Sequence, residues 1–172
     1  MIPLLILAAV AQPLAAGEAR APYDCPSSGP RRWVHSDELE LAYGRHSVAI
    51  VNAALRGDDS FLARAVGTDA TFSYFQGDMG LAVGARGPEA ARRFFRTMNP
   101  RAFQFLSLRR GALADDPCDL VRLELLLTGD SPARAFALTF SYRNGRLVEV
   151  GGREAGVVSG TLQPARRARR RR

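Results

Sequence analysis

Lysine is absent from this 172-residue sequence, whose basic side chains are arginines and two histidines. That absence points to a coding bias toward arginine as much as to a need for guanidinium chemistry. Only two cysteines occur, Cys25 and Cys118, which allow a single intramolecular pairing. With two histidines and no ligand-like spacing they do not compose a metal site. No apolar run is long enough to span a bilayer comfortably. A nucleophile elbow, a phosphate-binding glycine loop, a dinucleotide fingerprint and a zinc motif are all missing. The glycines between Gly77 and Gly87 lack the spacing and the preceding long strand that nucleotide binding needs. No cofactor is implied, and no internal repeat is present.

The ends of the chain carry two biased segments. Met1 to Ala16 is rich in Leu, Ile, Ala and Val, with small residues at its end, the pattern of a secretory signal. Its leading residues carry no positive charge, and the cut can follow Ala16, Ala19 or Ala21. Residues 1–21 are therefore expected to be a signal and cleavage region, and the protein to be exported, periplasmic or secreted. In an oxidising compartment Cys25 and Cys118 should be joined, two unpaired buried thiols being the alternative. Closing a loop of about 90 residues stabilises by roughly 4–5 kcal/mol in the chain-entropy picture.

The opposite end is basic. Six of the 24 basic residues fall within Arg166 to Arg172, and the remainder nearly balances the 17 acidic ones. The net charge of +7 thus belongs to a tail, residues 156–172, expected to be disordered by self-repulsion. It has no interleaved aromatics to stack bases, so a specific nucleic acid is not expected as a partner. For an exported chain an anionic membrane surface is the fitting neighbour of Arg166 to Arg172, at roughly 1 kcal/mol per arginine near the surface.

Between these segments, residues 22–35 read as an extended arm holding Cys25, followed by one domain over residues 36–155. Ser36 is placed to cap a helix with Asp37 and Glu38 in its first turn. Leu39, Tyr43, His46, Ile50 and Ala53 form its apolar face through Leu55, and Gly57 stops it. A short helix from Phe61 to Val66, ended by Gly67, comes next. Ala70 to Phe75 and Leu81 to Val83 read as a small hairpin, with Asp78 as a turn former. Pro88 opens a third helix with Ala91, Phe94, Phe95 and Met98 inward.

After Pro100 the period changes to two. Ala102 to Arg109, Leu120 to Leu127, Ala135 to Tyr142 and Arg146 to Val150 read as strands, the last two joined at Asn144-Gly145. Val121, Leu123 and Leu125 share one face with Phe136, Leu138, Phe140 and Tyr142. Arg122 and Glu124 lie on the other as a solvent-facing charge pair. Such strands need a helical cover, which only the upstream segments supply. The fold class expected is α+β: a curved antiparallel sheet wrapped around helices, in the order helix, helix, hairpin, helix, meander.

Three stretches add a resemblance to that order. Leu55-Arg56-Gly57-Asp58, Asp69-Ala70-Thr71-Phe72 and Gly84 to Phe95, closed by the Asn144 to Val150 hairpin, resemble the nuclear transport factor 2-like superfamily from about Asp37 to Ala155. That resemblance implies a cone-shaped fold with a cavity between sheet and helices. The superfamily includes ketosteroid isomerases, polyketide cyclases, dehydratases and epoxide hydrolases, as well as non-catalytic binders, so the fold does not name the chemistry. An isomerase-like member would need a carboxylate base where this chain has Ser73 or Tyr74. It would also need a helix tyrosine near Ile50 and an acid within Ala135 to Thr139. All three roles are vacant.

The candidates that remain are His46, Tyr43 and Tyr74, a cluster that would serve an isomerase, cyclase or dehydratase variant through an imidazole base or donor. Their bland reading, polar tips of core aromatics, is favoured. Asp115 and Asp116 before Pro117 read as a solvated turn rather than an acid pair. The leading expectation is a non-catalytic domain that binds a small hydrophobic ligand in its cavity or forms a homodimer through its sheet. The cavity lining would comprise Tyr43, His46, Ile50, Phe72 and Tyr74, with Phe94 and Phe95 from the third helix and the apolar strand face named above.

Overall fold

The computed structural model describes residues 12–13, 22–23, 25, 34–76, 79–82, 84–110, 116–129 and 134–156. The Arg-rich tail, Asp78, Asp115 and most of the proposed signal lie outside the described residues. The elements run β1 (Gln12–Pro13), α1 (Ser36–Arg56), α2 (Asp59–Ala65), β2 (Val66–Gln76), β3 (Met79–Ala82), α3 (Gly87–Met98), β4 (Ala102–Arg110), β5 (Val121–Thr128), β6 (Arg134–Arg143) and β7 (Arg146–Gly156). Among the described residues three helices cover one face of a seven-stranded sheet, ordered β1-β4-β5-β6-β7-β2-β3, whose edge strand β1 falls within the residues read as the signal, so that the domain proper supplies β2 to β7. This is the α+β architecture expected from the change of period.

One pairing departs from the antiparallel expectation. β2 lies parallel to β7, with Phe72 opposite Val150 and Phe75 opposite Arg153, so the sheet is mixed. A hairpin cannot produce that neighbour; the chain makes it by passing through α3 and the β4–β6 meander before returning. The other long pairings, β4 with β5, β5 with β6 and β6 with β7, are antiparallel.

Helix ends follow local chemistry with two corrections. His35 rather than Ser36 is the N-cap of α1, without a side-chain cap, and Asp37 and Glu38 lie in the first turn near the positive end of the helix. Gly57 closes α1 in the left-handed region at φ 79°, its amide donating to the Ala53 carbonyl. Asp58 caps α2 by accepting the Phe61 amide at 3.0 Å.

Gly67 does not end α2. The helix stops at Ala65, and Val66 enters β2 directly, paired with Leu147. Arg146 fixes this junction, its Nη2 donating to the carbonyls of Ala63 and Val66 at 2.7 Å each. Gly67 instead permits a close strand approach, since a Cβ there would lie 3.2 Å from the Leu147 carbonyl oxygen. The Asn144-Gly145 turn forms as read, both residues having positive φ.

The core lies between helices and sheet. Leu39, Tyr43, Ile50, Phe72, Phe94, Phe95, Leu123, Leu125, Phe136, Phe140 and Tyr142 are all but wholly buried there. A disulfide joins Cys25 to Cys118, the latter in the turn between β4 and β5. Among the described residues no helix is long and apolar enough to cross a membrane.

Candidate functional site

The two faces of the sheet present different chemistry because alternate residues of a strand point to opposite sides. On the inner face the rings interlock. Phe72 meets Phe94 at 5.5 Å and Phe95 at 6.2 Å, and Phe95 stacks on Phe140 at 5.9 Å with 8° between planes. Tyr74 sits edge-on to Phe94 and Phe136. Val121, Leu123, Leu125 and Leu138 fill in beside them, and Ile50 reaches the same core from α1.

Of the three residues proposed as a catalytic cluster, His46 and Tyr43 both pack against Tyr142, and Tyr74 lies apart from them among other rings. His46 is buried with its ring 5.9 Å from Phe61 and 5.9 Å from Tyr142. Tyr43 lies against Tyr142 at 4.8 Å, and its hydroxyl donates to the Pro117 carbonyl. Tyr74 belongs to the Phe94 and Phe136 group. Burial pushes the Tyr43 phenol well above its usual range, aided by the nearby Tyr23 and the Asp116 carboxylate. Burial raises Tyr142 as well, against a smaller lowering by its hydrogen bond to Ser47. Phenols held neutral in this way are hydrogen-bond donors rather than bases at neutral pH.

A polar chain unites this end of the core. Ser47 Oγ donates to the Tyr43 carbonyl at 2.8 Å and lies 2.6 Å from the Tyr142 hydroxyl. Asp116, read from sequence as part of a solvated turn, is instead buried and accepts the Cys118 amide at 2.9 Å. The adjacent disulfide and Tyr43 hydroxyl bring that turn against the body, which removes the carboxylate from water. Among the described residues no group of three or more His, Cys, Asp or Glu side chains could hold a metal ion.

The outer face carries a feature that sequence reasoning missed. A cavity of about 690 Å³ lies there, between Leu106 on β4 and Phe75 on β2. Strand register explains it. Arg122, Ser141 and Glu149 form one row across β5, β6 and β7; Glu124, Thr139 and Gly151 form the next; Leu126, Ala137 and Arg153 form the third. The middle column is short and the flanking columns are mostly long, so the face is a trough with charged walls. Ser141 Oγ lies 3.4 Å from Glu149 Oε2 within it.

Apolar side chains stand at both ends of this trough. Phe75 is 55% exposed and Leu106 is 45% exposed, although most large hydrophobics of the domain are buried. Leu106 points outward at a register shift between Phe105 and Ser107, where one residue is inserted against β5. Arg122 and Glu124, expected as a solvated pair, belong to the trough wall. The available signal was the run of small residues at matching outward positions, Ala137, Thr139, Ser141 and Gly151. It becomes legible only once the strands are in register.

No protein-family model and no curated protein matches the chain. Solved structures do. An NTF-2 like protein of unknown function from Silicibacter pomeroyi DSS-3 aligns with TM-score 0.50 at 18% identity, covering 71% of this chain and 100% of that one. An NTF-2 like protein of unknown function from Burkholderia xenovorans LB400 aligns at TM-score 0.43 and 16% identity, over 75% of this chain and 90% of its own. An LEH-like epoxide hydrolase from M. tuberculosis aligns at TM-score 0.39 and 18% identity, over 64% of this chain and 76% of its own. At these identities the likeness is one of fold. With its helices on one face of the sheet, its β4–β7 meander and its whole-length match to the Silicibacter protein, the chain has the nuclear transport factor 2-like fold.

Proposed function

We propose that this is an exported, non-catalytic domain that self-associates through the outer face of its sheet. The observation that carries the reading is the trough, with two exposed apolar side chains at its ends and charges of both signs along its walls. Its pattern is self-complementary. A two-fold axis along the strands would set Arg122 opposite Glu149 of a second copy, and Glu149 opposite that copy's Arg122, because the two residues occupy one row. Phe75 and Leu106 would supply the apolar anchors that such a contact needs.

The inner face supports the non-catalytic half. The positions where an isomerase would carry its base and acid, Ser73 or Tyr74 and Ala135 to Thr139, hold no carboxylate, and the inward residues among them, Tyr74, Phe136 and Leu138, are buried.

Light scattering and sedimentation from micromolar to millimolar protein test the reading. A concentration-dependent dimer is expected, Phe75→Asp should dissociate it, and Arg122→Glu should weaken it. The exchange of charges in Arg122→Glu with Glu149→Arg should restore association. A wild-type protein that stays monomeric at millimolar concentration overturns the proposal.

A further inference from the structure

The trough on the outer face sets opposite charges against each other across a neutral floor. Arg122 on β5 and Glu149 on β7 occupy one row, with Ser141 of β6 between them. Both charged residues are exposed, whereas Ser141 is buried beneath them. A whole strand separates the two walls. At about 4.8 Å per strand spacing the backbones of Arg122 and Glu149 lie roughly 10 Å apart, and among the described residues no ion pair joins their side chains.

The floor offers hydrogen bonds rather than grease. Ser141 Oγ lies 3.4 Å from Glu149 Oε2, and a hydroxyl has capacity for further partners. Thr139 follows in the same column with Gly151 beside it. A Cβ on Gly151 would meet nothing nearer than Ser73 Oγ at 4.0 Å, so the floor is open there. The cavity of about 690 Å³ falls within the range of roughly 300–1,000 Å³ that small-molecule sites occupy.

We infer that the trough is a binding site for a peptide of two or three residues with free ends, laid across β5, β6 and β7, its terminal carboxylate on Arg122 and its terminal ammonium on Glu149. Length selects this class. Two or three extended residues span roughly 7–10 Å, which matches the distance from wall to wall, and a single amino acid reaches only one of them. Arg122 presents paired N–H donors to a carboxylate, and Glu149 accepts from an ammonium. Between the ends, the amide groups of the peptide lie over Ser141 and Thr139, whose hydroxyls both donate and accept. The site rests on the trough alone. Because Arg122 and Glu149 are also the charges that two copies would exchange, bound peptide and a second copy exclude each other, and only that exclusion rests on self-association.

The test uses the full chain, diluted until sedimentation shows a monomer, with trialanine as the probe and amide NMR spectra as the readout. Trialanine should give saturable shifts along the three rows of the trough. The same peptide acetylated at one end and amidated at the other should give none. 6-Aminohexanoate, whose charges are similarly spaced but which lacks amide groups, should bind roughly tenfold more weakly. Arg122→Glu should lower trialanine affinity by roughly tenfold or more, and Arg122→Glu with Glu149→Arg should restore it with the peptide reversed. No saturable shift at millimolar trialanine overturns the site. Equal shifts from the blocked peptide overturn the charge clamp, and equal affinity for 6-aminohexanoate overturns the peptide assignment. A protein that stays monomeric at every concentration yet binds trialanine keeps this site and discards self-association; a dimer that saturating trialanine leaves intact discards the exclusion.

Discussion

The inner and outer faces of one sheet, built from alternate residues of the same strands, follow opposite rules. On β5 and β6 the inward residues Leu123, Leu125, Leu127, Phe136, Leu138, Phe140 and Tyr142 are fully buried. Their immediate neighbours Arg122, Glu124, Ala137, Thr139 and Ser141 line an open trough. Volume is conserved on the first face, because ring must meet ring at van der Waals distance. On the second face, shape arises from missing volume, since short side chains in the middle column leave the charged walls standing apart. An inner substitution should therefore register as lost stability, and an outer one as changed association.

The sharpest break of that contrast is Phe94→Ala, which removes a ring touching Phe72, Tyr74 and Phe95. It should cost about 3–5 kcal/mol in denaturant unfolding. Phe75→Ala, on the outer face of the adjoining strand, should change monomer stability by no more than about 0.5 kcal/mol. Equal losses at the two sites would erase the distinction.

Two adjacent glycines on β7 sharpen it. A Cβ on Gly152 would fall 2.1 Å from the Ala137 carbonyl oxygen and 2.8 Å from Leu138 Cδ2, whereas one on Gly151 meets only Ser73 Oγ at 4.0 Å. Gly152→Ala should destabilise by about 1–3 kcal/mol or more, because backbone must shift. Gly151→Ala should leave the melting temperature almost unchanged. Thermal unfolding of the pair checks this directly.

Tyr142→Phe probes the polar seam at the edge of the inner face. It removes the partner 2.6 Å from Ser47 Oγ but leaves that hydroxyl donating to the Tyr43 carbonyl. The expected loss is about 1 kcal/mol. The smallest effect lies outside both faces. Asp58 has its pKa lowered, first by the Phe61 amide and then by Ser60. Its stabilisation is present above the unfolded carboxylate value of about 3.9 and is lost as pH falls through the lower folded value. Asp58→Ala should melt earlier than wild type at neutral pH, and the gap should close in acid.

Much of the architecture was legible before any contact was known. Gly57 stopped α1, Pro88 opened α3, and Asn144-Gly145 turned β6 into β7, each through backbone preferences that act within a few residues. Local signals misjudged Gly67, because what places it in β2 is the parallel approach of Leu147 from far along the chain. Asp116 was misjudged for the same reason: adjacent carboxylates before proline suggest a solvated turn, and only the packing of that turn against Tyr43 and the disulfide buries it. For the candidate site, periodicity identified the buried face of β5 and β6 residue by residue. It could not show that Tyr74 would join Phe94 and Phe136 while His46 lay beside Phe61.

By itself the sequence determined which residues of each strand avoid water, where the helices begin and end to within a residue or two, and which cysteines could pair. These depend on hydropathy, backbone preference and counting, all of which are properties of neighbours in the chain. Tertiary structure alone decided that β2 would lie parallel to β7 and that Ala137, Thr139 and Ser141 would stand in rows between Arg122, Glu124, Glu149 and Arg153. A trough is a relation among strands distant in sequence, so its form is set by register, and register follows only when the whole inner face packs at once.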